Sequence, residues 1–253
     1  MSAGKFDAQR FFLKDTIRKR INFLQTAQSR GLAAPPLQKP CPPDISRVDL
    51  PDGAQALARL AKMPVGKAIA GRESLREYSA DPLDLEELSA LLWATQGVRQ
   101  VLSPDTALRS VPSAGARHSF ETYLVVNRVS GLTSGLYRYL PFDGKLAQLK
   151  IDPQIGRKAA LASFGQGLLA AAAVAFFWTA LPTRMEWRYD LAAHKVIAID
   201  AGHVGQNLYL ACEALGAGCC AVAAYDQDAC DTLLDVNGNE EFTIYLAAVG
   251  RRR

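Results

Sequence analysis

The chain has 253 residues, 49 % of them hydrophobic and 21 % charged, which is the balance of a globular protein with room for one large domain or two small ones. Its 29 basic and 25 acidic side chains leave a net charge of +4. That excess is too mild for a nucleic-acid binder, and three of the basic residues are the terminal Arg251, Arg252 and Arg253. The five cysteines (Cys41, Cys212, Cys219, Cys220 and Cys230) are odd in number and lack Cys-x-x-Cys spacing. This argues against a disulfide framework and a structural zinc site and fits a reducing cytoplasm. The polar N-terminus carries no apolar leader, and the longest apolar run, residues 168–181, falls short of the ~20 residues of a membrane span.

Residues 1–33 are predicted to be helical and highly charged, with Phe11, Phe12, Ile17, Ile21, Phe23 and Leu24 as the apolar set. Residues 34–51 hold six of the 13 prolines, so neither regular helix nor central strand is available there. This stretch reads as an extended arm on the body or on a partner subunit, or as a disordered leader. We place the N-terminal helix and arm at 1–54 and the main domain at 55–253. A helix is expected over 54–63. Asp84 and Glu87 form a capping box that starts a helix with Leu85, Leu88, Leu91 and Leu92 as its stripe, ended by Gly97.

A small-residue loop over 109–118 leads into strands at 121–127, 136–140 and 145–151, the first two joined through a turn marked by Gly131 and Gly135. A helix to about Ser163, a buried strand over 168–179 and a short helix over 184–193 follow. The most regular helix is 196–215, where Ile197, Ala201, Val204, Leu208, Ala211 and Leu215 recur at steps of three and four before Gly216. A strand at 219–224, a helix at 228–234 and a strand at 242–249 complete an α+β order.

Chemistry concentrates in residues 71–78, Gly-Arg-Glu-Ser-Leu-Arg-Glu-Tyr. In an extended chain the two-residue spacing puts Arg72, Ser74 and Arg76 on one face. Two guanidiniums and a hydroxyl on one point make a phosphate clamp; the competing reading is a solvated strand whose arginines pair with Glu73 and Glu77. Gly165-x-Gly167-x-x-Ala170 imitates a dinucleotide fingerprint, but strand and helix lie in the reverse order. No Walker loop, His-Glu-x-x-His or Gly-x-Ser-x-Gly is present, and no histidine has metal-ligand spacing. The cysteines read as structural, with the adjacent Cys219-Cys220 a minor redox alternative.

Taken in order, these pieces resemble the FMN-dependent nitroreductase superfamily. Arg72-Glu-Ser74-Leu-Arg76 is similar to its Arg-x-Ser-x-Arg/Lys entry motif. Pro112-Ser113-Ala114-Gly115-Ala116-Arg117-His118 resembles its second flavin loop in the SagB-type branch, which includes azoline (thiazole-oxazole) dehydrogenases. Gly135-Leu-Tyr-Arg-Tyr139, Asp200-Ala-Gly-His203, Leu215-Gly-Ala-Gly218 and the 245–251 segment follow in the branch's order. The resemblance implies a nitroreductase-like sandwich, a central mixed or antiparallel sheet flanked by helices, in an intertwined homodimer with FMN at the interface. Arg72, Ser74, Arg76 and Arg251 would hold the phosphate and ribityl chain. Pro112, Ser113, Ala114 and Gly115 would lie along the ring, and Ala223 and Ala224 would face its N5 edge, unless those two alanines are plain core.

Two departures stand out. Ala116 occupies a position where many nitroreductases have Asn. Arg188-Tyr189 replaces the Lys-Tyr pair of azoline dehydrogenases. Tyr189 keeps a general acid or base, whereas Arg188 can only bind or stabilise an anion; both could equally be exposed helix residues. His203 is expected in the core or at an interface. The resemblance thus implies an FMN-dependent oxidoreductase passing hydride between a small-molecule or peptide-derived substrate, or NAD(P)H, and an acceptor. The alternatives are a non-catalytic flavin-binding partner subunit of a biosynthetic complex and a flavin-remodelling enzyme.

Overall fold

The first segment departs from the single helix expected over 1–33. In the computed structural model, which describes residues 4–253, only α1 (Asp7–Leu13) is α-helical, followed by tight turns of 3-10 helix at Asp15–Arg20 and Phe23–Gln25. None of the α1 residues is buried, so no packing face exists to propagate the helix. Residues 1–3 of that expectation lie outside the described residues.

The proline-rich arm then crosses the body. Gln38 donates to Asp143 at 2.9 Å, the Lys39 peptide N–H donates to buried Glu121 at 2.8 Å, and Arg138 donates to the Pro40 carbonyl at 2.8 Å. The arm ends in β1 (Arg47–Asp49). Next come α2 (Gly53–Leu60), α3 (Val65–Gly71) and α4 (Leu85–Gln96). Both halves of the Asp84–Glu87 capping box are formed at α4, with Glu87 N–H to Asp84 at 2.7 Å and Asp84 N–H to Glu87 at 2.9 Å.

A two-stranded ribbon of β2 (Val98–Ser103) and β3 (Thr106–Arg109) precedes β4 (Phe120–Val126), β5 (Gly135–Leu140) and β6 (Lys145–Ile151). Then follow α5 (Ile155–Ala162), α6 (Leu168–Ala171), β7 (Val174–Ala180), α7 (Thr183–Tyr189), α8 (Ala193–Leu215), β8 (Ala217–Val222), α9 (Gln227–Leu234) and β9 (Phe242–Arg251). The expected strand over 168–179 is therefore corrected: its first four residues are helix. Asn127 donates to the carbonyls of Leu169 and Ala172 at 2.9 and 3.0 Å, which satisfies the end of that turn.

The main sheet has seven strands in the order β1-β6-β5-β4-β7-β9-β8, and every pairing between them is antiparallel. Its residues alternate between two buried layers. Phe176 and Trp178 of β7 face Leu88, Leu91, Ile197 and Leu208 of α4 and α8. Phe177 of the same strand faces Ile155, Leu169 and Leu234 of α5, α6 and α9. The α+β layering expected from the sequence is the fold observed. The edge strand β8 and the outer helix α8 carry the features that follow.

Candidate active site

The clamp segment starts where α3 stops. Arg72 caps α3 with extended backbone (ψ 124°), and the chain runs alongside β8. Ser74 makes a parallel bridge to Cys219, and the Leu75 N–H donates to the Cys219 carbonyl at 2.9 Å. Leu75 packs over Gly218 and Tyr78 over Gly250. The Tyr78 hydroxyl donates to the carbonyls of Leu75 (2.7 Å) and Ala248 (3.1 Å). Leu75, packed on Gly218, fixes the register at this point, so residues 72, 74 and 76 share the other parity.

Tyr209 of α8 ties this parity together. Its hydroxyl lies 2.8 Å from the Ser74 hydroxyl and accepts the Ala221 N–H at 2.8 Å. The Arg72 guanidinium sits 5.1 Å from the Tyr209 ring centre. Arg76 donates to the Ser74 carbonyl at 3.2 Å, and its charge opposes the burial that pushes the Cys220 thiol up. Tyr209 stands next to the apolar stripe of α8 and carries no motif of its own, so nothing in the sequence marks it.

Neither Arg72 nor Arg76 forms an ion pair among the described residues, although Glu73 and Glu77 stand beside them. Those carboxylates go to the C-terminal tail instead: Glu73 pairs with Arg252 at 3.3 Å and Glu77 with Arg253 at 3.1 Å. Arg252 also pairs with Glu213. Arg251 makes no hydrogen bond to Arg72, Ser74 or Arg76 among the described residues. Its two Nη atoms each lie 2.7 Å from an oxygen of Glu87, and its Nε donates to the Pro82 carbonyl. This fork is bidentate, and it consumes the arginine that the resemblance assigned to the phosphate. Ala223 and Ala224 follow β8 directly and are exposed, so the plain-core reading of these two is excluded.

The second loop lies at the other end of α8. Gly115, Ala116 and His118 hold φ of 59°, 53° and 46°, three left-handed residues within four, a strained shape that its surroundings must enforce. The His118 N–H donates to the Ser113 hydroxyl at 2.9 Å, and the Ala114 N–H to the Asp200 carboxylate at 3.3 Å. Burial pushes the Asp200 pKa up, against the opposing pull of the Ser113 hydroxyl, the Ala114 N–H and His203. His203 is 45 % exposed on the outer side of α8, so within one chain it is not a core residue. A recess of about 300 Å³ lined by Arg99, Leu108, Pro112, Ser113, Ala116 and His118 opens beside the loop.

Arg188 and Tyr189 end α7 and are half-buried against this same loop. A methyl group placed at Gly115 would come within 2.6 Å of Arg188 Cδ and Nε and 2.8 Å of Tyr189 Oη. A larger residue there would displace these two side chains and adopt a φ of 59° that glycine takes without strain. The Arg188 guanidinium stands 5.7 Å from the Tyr189 ring centre. The N-terminal segment straps α7 in place: Gln28 N–H donates to the Trp187 carbonyl and Trp187 Nε1 to the Leu32 carbonyl, each at 2.9 Å. Arg117 lies 4.9 Å from the Trp187 ring centre.

The structure therefore brings the expected residues together in two groups. Arg72, Ser74, Arg76, Tyr209, Ala223 and Ala224 follow the β8 edge. Pro112, Ser113, Ala114, Gly115, Arg188 and Tyr189 gather at the start of α8. Asp200 and Tyr209, the anchors of the two groups, are nine residues apart on α8. At ~1.5 Å and ~100° per residue that is roughly 13 Å along the axis and half a turn around it. The two groups thus leave opposite faces of the helix. Among the described residues, no set of His, Cys, Asp and Glu is grouped to hold a metal ion, the five cysteines are free, and no helix is long and apolar enough to cross a membrane.

With this geometry in place, comparison with known proteins assigns the class. The nitroreductase family model matches residues 69–251, and the chain belongs to that family of oxidoreductases. It is 30 % identical over 209 residues to a protein of Methanocaldococcus jannaschii named as a nitroreductase, covering 83 % of this chain and 98 % of that one. It is 29 % identical over 126 residues to the trifolitoxin-processing protein TfxB of Rhizobium leguminosarum bv. trifolii, covering 48 % of this chain and 34 % of that one.

Two solved structures described as nitroreductases share the fold. One, from Ralstonia eutropha, has a TM-score of 0.67 at 24 % identity, covering 88 % of this chain and 99 % of that one. The other, from Anabaena variabilis, has a TM-score of 0.66 at 25 % identity over 83 % of this chain, which spans 42 % of that longer chain.

Proposed function

We propose that this chain is an FMN-dependent oxidoreductase of the SagB-type branch, working as a cytoplasmic homodimer on a small-molecule or peptide-derived substrate. The observation that carries the reading is the charge pattern at the clamp. Arg72 and Arg76 have no carboxylate partner among the described residues, while Arg251, Arg252 and Arg253 are all paired. Two free guanidiniums around a serine hydroxyl suit a dianionic phosphate, so the residues present fit FMN. When bound, FMN supplies a two-electron carrier that takes or gives hydride at N5.

The protein's part is position and charge. Arg72, Ser74 and Arg76 hold the phosphate, and Tyr209 holds Ser74. The loop from Pro112 to Gly115 lies along the ring, with Asp200 fixing the Ala114 N–H. The exposed backbone of Ala223 and Ala224 offers N–H donors at the end of β8. Because the two groups leave opposite faces of α8, each pocket draws the clamp from one copy and the loop from the other. Exposed Ile199 (50 %) on α8 and Val101 (56 %) and Leu102 (53 %) on β2 give apolar surface for that dimer. Arg251 serves the clamp indirectly, by fastening the β9 end to the start of α4 through Glu87.

Beside the loop, Tyr189 Oη gives a proton to the substrate or takes one from it, and Arg188 stabilises negative charge there. The likeness to a toxin-processing protein over 48 % of the chain supports a peptide-derived substrate; the family's reductases support NAD(P)H as a second electron donor. Anaerobic titration of the yellow protein separates them. Bleaching near ~450 nm with NADPH or NADH marks a reductase, and bleaching only with an azoline-containing peptide marks a dehydrogenase. Tyr189→Phe is expected to slow turnover by about 10²–10⁴ with flavin content unchanged. Full turnover by that variant would remove Tyr189 from the reaction. Bound FMN with no reduction by any donor would favour the partner-subunit reading, and loss of the flavin itself a flavin-remodelling enzyme.

A further inference from the structure

We infer that the cavity between the proline-rich arm and the sheet is a second binding site, for an aliphatic monocarboxylate. It lies on the α5–α9 side of the sheet, across from α8: Leu136 and Tyr123 belong to that layer, with Leu149 and Leu233 packed against it. Its volume is about 460 Å³, inside the range of small-molecule sites. Leu136, Leu149 and Leu233 form its apolar walls, and Lys39 and Pro40 of the arm close one side.

The polar end of this cavity lacks a partner. Arg138 is only 3 % exposed; one Nη donates to the Pro40 carbonyl at 2.8 Å, and its buried Nε has no hydrogen-bond partner among the described residues. A buried guanidinium with a free donor carries a desolvation cost that an anion would offset. Lys150 stands on β6 opposite Leu136 of β5, lines the same cavity and forms no ion pair among the described residues. Lys39 is already satisfied by Glu241 at 2.5 Å. The remaining charge is Arg138 and Lys150 against the single carboxylate of Asp235, an excess of one positive charge. A ligand with one negative end and an aliphatic body matches both halves. Because the arm forms one wall, ligand and arm dock together.

Calorimetric titration of the full-length protein with octanoate tests this, with octanol as the uncharged control. One octanoate per chain is expected to bind, and octanol much more weakly. Arg138→Met, which keeps the apolar volume, is expected to weaken octanoate by about tenfold or more. Lys150→Glu, an exposed change that leaves the core intact, is expected to weaken it by about threefold or more, and this second variant is decisive if the Arg138 variant does not fold. Absence of saturable binding up to ~10 mM, well beyond the weakest specific affinities, would overturn the inference. So would octanoate binding that is unchanged by Lys150→Glu. Neither result bears on the clamp, because flavin content is read separately.

Discussion

Replacing Glu121 by Leu should cost about 3–5 kcal/mol of stability, the penalty for leaving a buried charge without its counterion. Glu121 and Arg184 have side chains 2 % and 3 % exposed and pair at 2.5 Å. Arg184 also donates to the His118 carbonyl at 3.2 Å, so this pair sits under the loop of the candidate site. A second buried cation, Arg109, lies close by. Burial and Arg184 push its pKa down to about 10, and Glu121 pulls it up.

Without Glu121, two guanidiniums remain in the core with no carboxylate between them, and the Lys39 N–H loses its acceptor. Urea unfolding would show a large fall in midpoint at unchanged slope. The double variant Glu121→Leu/Arg184→Met should recover much of the loss, since paired apolar replacement of a buried ion pair is often neutral. A single-variant cost below ~1 kcal/mol, the range of exposed pairs, would mean that the pair is solvated and not part of the core.

Acid should unfold the protein partly through His118. Burial, with Arg109, Arg117 and Arg184 nearby, pushes this imidazole down from 6.5 to about 3, against a backbone hydrogen bond at Ala107 that pulls it up. The folded pKa lies below the unfolded one, so the unfolded chain takes the proton first. The contribution of neutral His118 is complete above about pH 6.5 and is lost as pH falls towards 3. Its full size is about 5 kcal/mol as an order of magnitude.

Asp200 works in the opposite sense. Its raised pKa favours the folded state at low pH and loses that contribution as pH rises, so the comparison must be made on a variant that leaves Asp200 in place. His118→Asn serves, because Asn tolerates the φ of 46°. The wild-type protein should lose more stability between about pH 7 and pH 4 than the variant does. Parallel pH profiles would contradict the burial of the imidazole.

Local signals of the kind seen at α8 and α4 were legible in the sequence. The expected helix at 196–215 is Ala193–Leu215, since its stripe faces one packed layer. The capping box at Asp84 and Glu87 needs only four adjacent residues, and it forms. Helix and strand could not be told apart over 168–179, because an unbroken apolar run has no period and both states bury it.

The β2–β3 ribbon was not anticipated: five of the six β2 residues are exposed, so no burial pattern marks the strand. The two-residue spacing of Arg72, Ser74 and Arg76 pointed to one face. What the spacing could not supply were distant partners. Tyr209 reaches Ser74 across 135 positions, and Glu87 takes Arg251 across 164. That second contact engages the tail arginine assigned by resemblance with a fixed carboxylate that its local sequence does not announce.

The reading rests on Arg72 and Arg76 forming an anion clamp for a flavin phosphate. The most direct measurement is the visible spectrum of the natively purified protein beside that of the Arg72→Ala/Arg76→Ala variant, with circular dichroism to show that both are folded. Wild-type protein should be yellow, with bands near ~450 nm and about one flavin per chain. The folded variant should be colourless and fail to take up added FMN. A wild-type protein that is colourless and cannot be reconstituted, or a variant that keeps its flavin in full, would rule out the clamp.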